Sequence, residues 1–190
     1  MLTDRPPSTA ALRARFLESD RLTALDVPED DRLQASAKSI ASAMQGSTAS
    51  SVRHACAEFL SAASGFYLVR CPAIRVLAAR PLRVREGGSA IELFGDYDPE
   101  TTIIRLWMRT AIRKQVTSFG TFLSTLCHEF CHHLDCQRFG FRESWHTRGF
   151  YQRTAALYHH ARGTPVKRLF WVRAPGERWR IDWPRTNRRA

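Results

Sequence analysis

Thr121-Phe122-Leu123-Ser124-Thr125-Leu126-Cys127-His128-Glu129-Phe130-Cys131-His132-His133-Leu134-Asp135-Cys136-Gln137-Arg138-Phe139 is the stretch that decides how this chain folds. At about 100° per residue, Phe122, Leu123, Leu126, Cys127, Phe130 and Leu134 fall on one broad apolar arc, so the spacing predicts a helix with one face packed on a core. Gly140 follows and ends it. His128 and His132 fall on the other side, about 40° apart and one turn along the axis. Two imidazoles so placed can converge on one cation. Glu129 lies between the histidine face and the apolar arc, where its carboxylate can reach a water activated at the ion without ligating the ion itself. His-Glu-x-x-His is thus a pattern that carries two zinc ligands and a general base on little more than one helical turn.

A catalytic zinc site generally needs a third protein ligand and an open fourth position. The metzincin continuation would place Gly and His where this chain has Asp135 and Arg138, which excludes it. Among the remaining candidates His146 is favoured over Glu143, with His159 and His160 as further alternatives. A second helix is expected from about Ser144 to Arg162, with Ser144 as its N-cap and Gly163 and Pro165 as its stop. His146 would then sit in its first turn, on the stripe of Phe150, Leu157 and Ala161 that faces the first helix. Glu143 is left in the connecting loop. His133 points about 100° away from His132, toward the apolar arc, and reads as a core or supporting histidine. Asp135, about 60° from His132, reads either as a carboxylate orienting a ligand imidazole or as an ordinary surface acid.

Upstream, Thr9 to Leu25, Asp31 to Met44 and Thr48 to Ser64 carry helical spacing, the last ending at Gly65, and residues 1–66 read as an N-terminal helical segment packed on the core. The first residues, with Pro6-Pro7, are expected to fray. From Tyr67 the pattern becomes extended. Strands are expected at Ile74–Leu77, at Leu82–Arg85 with a Gly87-Gly88 turn, at Ile91–Tyr97 and at Thr101–Met108. The fold class is therefore α+β, with a small mixed sheet ahead of the His128 helix. Residues 67–163 form its core unit. Residues 164–190 form a basic, aromatic tail in which Val166–Arg173 and Arg178–Trp183 flank a hairpin turn.

His128-Glu129-Phe130-Cys131-His132, thirteen further residues, and then His146 with Gly149-Phe150 close behind resemble the SprT-like (Spartan-type) metallopeptidases. The resemblance covers about residues 67–163, and the spacing to the third histidine carries most of its specificity. It implies a zincin-like core, a Zn2+ ion held by His128, His132 and His146, Glu129 as the catalytic acid/base, and a protein or peptide substrate. It also implies that the strand around Thr102–Leu106 is an edge strand, and extended substrate is expected to add to Ile103–Trp107. Two features depart from the family. Thr147 stands where a glycine is frequent, and the tail has no cysteine for a zinc ribbon. Tyr151, Tyr158, Arg148 and Arg153 are near enough in sequence to assist an oxyanion.

With 29 Lys and Arg against 18 Asp and Glu, the net charge is +11. Such a balance fits contact with DNA through Arg185, Arg188, Arg189 and the tail tryptophans, or simply an arginine-rich composition. The five cysteines form no C-x-x-C pair and read as small apolar filler, with neither a disulfide framework nor a ribbon. No leader and no membrane span is legible, so a reduced, cytoplasmic setting is expected and no membrane partner. The oligomeric state is not legible. Besides the peptidase, two other classes fit the residues: a basic DNA-binding protein with a structural metal, and a zinc hydrolase of non-peptide bonds.

Overall fold

The computed structural model describes residues 1–46, 48–84 and 90–188 and shows a mixed α+β chain. Three helices come first: α1 (Ala10–Arg21), α2 (Arg32–Gln45) and α3 (Ala49–Tyr67). Strands β1 (Ala73–Ala79), β2 (Leu82–Val84), β3 (Ala90–Glu92), β4 (Gly95–Asp98) and β5 (Ile103–Arg109) follow. Then come α4 (Phe119–Gln137) and α5 (Arg148–Arg162). The tail holds β6 (Trp171–Ala174), β7 (Arg178–Ile181) and the single turn α6 (Trp183–Thr186). Among the described residues no helix is long and apolar enough to cross a membrane.

The main sheet has the order β1-β5-β4, with β1 parallel and β4 antiparallel to β5. It is mixed, as expected, but β5 is its centre rather than its edge. Both sides of Ile103–Trp107 are already hydrogen-bonded, so this stretch cannot accept substrate; β4 is the edge on the side of α4. The reason lies in the side chains. Ile104, Leu106 and Met108 are buried on one face of β5, and a strand so apolar is best covered by neighbours on both sides. The expected single strand Ile91–Tyr97 is broken at Leu93-Phe94, so that β3 pairs with β2 and β4 pairs with β5. The Gly87-Gly88 turn lies outside the described residues.

One core joins the helices to the sheet. Leu33, Ile40, Val52, Phe59 and Leu60 from α2 and α3 pack in the same cluster as Ile104, Leu106, Phe122, Leu126, Phe130, Phe150 and Leu157. Helix α3 does not stop at Gly65. It runs on to Tyr67 because that ring is buried, its hydroxyl donates to Asp26 O at 2.7 Å, and Leu68 closes the helix in the left-handed conformation. Ser118 caps α4 by accepting from Thr121 N–H at 3.2 Å.

The polar heart of the molecule is an ion pair with almost no access to water. Arg153 Nη2 donates to Asp135 Oδ1 at 2.7 Å, and the two side chains are 1% and 0% exposed. Arg153 Nη1 also donates to the carbonyls of Ser19, at 3.1 Å, and Leu22, so α1, α4 and α5 meet on one guanidinium. Close beside it, Ser19 and Leu22 carbonyls press on Gly149, where a Cβ would collide with them. Removing one partner of such a pair strands a buried charge. Arg153→Leu is expected to lower unfolding free energy by about 3–5 kcal/mol in chemical denaturation, and the double variant Arg153→Leu/Asp135→Leu to recover part of that loss.

Candidate metal centre

Helix α4 delivers His128 and His132 one turn apart, and the α4–α5 loop delivers His146. Their Nε2 atoms form a triangle with sides of 3.0 Å (His128–His146), 3.2 Å (His128–His132) and 3.2 Å (His132–His146). The rings of all three lie against Phe150, at centroid distances of 4.9, 4.4 and 5.2 Å, so this buried side chain is the floor of the cluster. Tetrahedral nitrogen ligands at about 2.0–2.1 Å from an ion stand about 3.3 Å apart. The triangle fits that spacing within a few tenths of an ångström.

The hydrogen bonds behind the rings assign their tautomers. Ser144 Oγ donates to Asp135 Oδ2 at 3.2 Å, which leaves it to accept from His132 Nδ1–H at 2.7 Å. His146 Nδ1 lies 3.3 Å from Asp4 Oδ2, an acceptor only, so this nitrogen is also protonated. His132, protonated on Nδ1 and held neutral by burial, therefore turns its Nε2 lone pair toward His146 Nε2 at 3.2 Å. Burial, with the nearby charge of His146, pushes His128 down to about 3, and burial also drives His132 well below its ordinary range. These two rings are thus neutral at pH 7, the form in which an imidazole can ligate a metal.

Compared with known proteins, the chain matches no family model, no curated protein and no solved structure. The site has to be read from its own geometry. His128, His132 and His146 are close enough together to bind a metal ion and are the one such group among the described residues. Glu143, His159 and His160 are not part of it. Glu143 lines the same cleft at its exposed edge, His159 Nδ1 bonds Thr164 Oγ1 at 2.8 Å, and both histidines belong to the far end of α5.

Two expectations about the loop need correction. Ser144 is not a helix cap, and His146 is not in the first turn of α5. Thr147 caps the helix instead, its Oγ1 accepting from Phe150 N–H at 3.0 Å and touching Ser19 Oγ at 3.2 Å, so His146 sits just before the cap. Ser144 takes a left-handed backbone, φ 39°, that few non-glycine residues adopt. Its hydroxyl there completes the line His132–Ser144–Asp135–Arg153, which gives Asp135 the orienting role. Burial raises Asp135 toward about 6, against the opposing pull of Arg153.

Glu129 is buried in the wall of a cleft of about 420 Å³ that it shares with the three histidines, Tyr97, Asp96 and Arg142. Burial, then the charge of Asp96, pushes its carboxyl up to about 8. Gly95 of β4 makes this approach possible. A Cβ there would meet Thr125 Cγ2 at 2.6 Å and Glu129 Cγ at 3.1 Å, so only glycine lets the edge strand lie so close to α4. His133 stays out of the metal cluster. Its Nε2–H donates to Arg70 O at 2.7 Å and its Nδ1 accepts from Tyr97 hydroxyl at 3.0 Å, which ties β4 to α4.

None of the four expected oxyanion helpers lines this cleft. Arg153 is bound to Asp135, Arg148 to Asp20, and Tyr151 hydroxyl donates to Leu2 O at 3.1 Å, while Tyr158 lines a separate cavity under the tail. The groups that do line it are Tyr97 and Arg142, which sequence spacing gave no reason to choose. Sequence reasoning also missed Asp4, since nothing in a residue 142 positions from His146 signals contact with it. His146→Ala is expected to abolish stoichiometric binding of a divalent metal in equilibrium dialysis, whereas Glu143→Ala, His159→Ala and His160→Ala retain it.

Proposed function

We propose that this chain is a zinc-dependent peptidase of SprT-like type with a zincin-like core, in which His128, His132 and His146 hold the zinc and Glu129 is the catalytic acid/base. One juxtaposition carries the reading: a buried carboxylate in the wall of the cleft into which three imidazoles converge. A metal that only braced the fold would have no use for that carboxylate, and burying it there is costly. The donor set of three imidazole nitrogens suits zinc, which favours such ligands in catalytic sites.

Zinc held by these residues would supply a Lewis acid that polarises a carbonyl oxygen and makes water acidic near neutral pH. Glu129 accepts the proton of the attacking water as its oxygen bonds to the carbonyl carbon. It then gives that proton to the nitrogen of the leaving amine as the C–N bond breaks. Burial, then the charge of Asp96, holds the Glu129 carboxyl high; a cation held by the three histidines would pull it back down, and such opposing influences suit a group passing one proton in both directions. His132 is steadied by Ser144 and Asp135 throughout.

Strand β4 supports the peptide reading. Gly95, Asp96 and Tyr97 line the cleft, and the strand's other side faces away from β5. An extended peptide adding to β4 would lie along the cleft beside Glu129, replacing the expected pairing with Ile103–Trp107.

A role on DNA rests on the arginine excess of the tail. There the hairpin forms as β6 and β7, but Trp183 leaves the strand to begin α6. Arg148 and Arg173 lie 4.7 and 4.6 Å from the Trp179 ring, and Arg168 and Arg185 lie 5.3 and 4.3 Å from Phe170. These rings already have cationic partners within the chain, which favours packing over base stacking. Arg189 lies outside the described residues.

Wild type loaded with zinc is expected to cleave an unstructured protein substrate, and Glu129→Gln to keep its zinc while losing about 10²–10⁴-fold in rate. Equal cleavage by Glu129→Gln would remove the assigned role. A repeat with single-stranded DNA over a salt series separates a DNA-stimulated enzyme from one that ignores DNA.

A further inference from the structure

Sequence composition marks the first residues as a loose end, yet they are tied to the metal centre. Asp4 N–H donates to His146 O at 3.0 Å, and His146 N–H donates to Asp4 Oδ2 at 2.9 Å. The same Oδ2 lies 3.3 Å from His146 Nδ1. One residue therefore grips the third histidine by its carbonyl, its amide and its ring. His146 itself belongs to no helix or strand.

Asp4 is itself held from the far end of the chain. Thr3 N–H donates to Trp179 O and Trp179 N–H donates to Thr3 Oγ1, both at 2.8 Å. Ile181 N–H donates to Met1 O at 3.1 Å, and Leu2 forms an antiparallel bridge with Arg180. Residues 1–3 thus lie against β7 through an isolated antiparallel bridge and its flanking hydrogen bonds, with Thr3 only 3% exposed. Tyr151, whose ring lies parallel to that of His146 at 5.8 Å, donates to Leu2 O from below. The expected fraying of this segment is absent because each of its backbone groups named here has a partner.

We infer that Asp4 is a positioning residue of the metal centre, which through His146 sets how tightly the three-histidine site holds its ion. A carboxylate on the Nδ1–H of a ligand imidazole fixes the ring's rotation and makes the opposite nitrogen a stronger donor. The tail hairpin, by carrying residues 1–4, is then part of the site's support although it lines none of the cleft. The inference rests on the metal-binding reading of the three histidines and needs nothing from the peptidase chemistry.

The test measures Co2+ binding to the full chain by its visible ligand-field absorption, in competition with a chelator. Asn at position 4 keeps an acceptor for His146 N–H but loses the charge on the ring. Asp4→Asn is expected to bind Co2+ about 10–100-fold more weakly than wild type, and Asp4→Ala at least as weakly. Both are expected to keep the wild-type melting midpoint when no metal is added. Wild-type affinity in Asp4→Asn would overturn the inference. So would a loss of affinity matched by an equal loss of stability without metal, since Asp4 would then be a clamp for the fold alone. A wild-type chain that binds no Co2+ would remove the metal site itself, and with it both readings.

Discussion

The buried pair of Arg153 and Asp135 is the constraint on which the rest of this structure depends. Two charges without water must be surrounded by partners, and those partners are drawn from four parts of the chain. The end of α1 supplies carbonyls, α4 supplies the carboxylate, α5 supplies the guanidinium, and the loop between α4 and α5 supplies Ser144. Once these are in place the position of His132 follows, because its Nδ1 has only Ser144 to bond. The pair therefore links the stability of the helical layer to the aim of one histidine of the candidate metal site. A substitution in α1, far from the cleft in sequence, can be felt at the three-histidine cluster.

The same low-polarity surroundings act in opposite directions on the acids and bases of the site, and both directions serve it. Burial disfavours charge, so it lowers His128 and His132 and leaves them as neutral donors. It raises Glu129 for the same reason. A chain of net charge +11 thus carries a buried pair of imidazoles, His128 and His132, that are uncharged at neutral pH. The surplus arginines lie elsewhere, several of them over the aromatic rings of the tail.

Much of this was legible in the sequence because it follows from local spacing. The apolar arc of α4, the shared face of His128 and His132, and the Phe150, Leu157 and Ala161 stripe of α5 are periodic patterns within a few residues, and they formed where the spacing placed them; the hairpin formed with a shorter first arm, beginning at Trp171 rather than Val166. What failed were readings that local pattern cannot decide. Ser144 and Thr147 are equally good caps by residue type, and the choice fell to Thr147 because Ser19 meets it from α1 while Asp135 and His132 claim Ser144. A run of β-branched and aromatic residues looks the same at the edge of a sheet as at its centre. Ile103–Arg109 is central because β1, thirty residues earlier, returns to pair with it.

The sequence by itself determined that one helix would present two histidines and a glutamate beside a core, and that a third histidine would lie within reach. Helical periodicity alone is enough for that. Which third histidine is used, which strand borders the cleft, and what holds each ring were decided only by the tertiary structure. Those questions turn on contacts between residues far apart in the chain, such as Asp4 with His146 and Arg153 with Ser19, Leu22 and Asp135. Hydrogen-bonding groups are matched there by position in space, and sequence spacing carries no record of it.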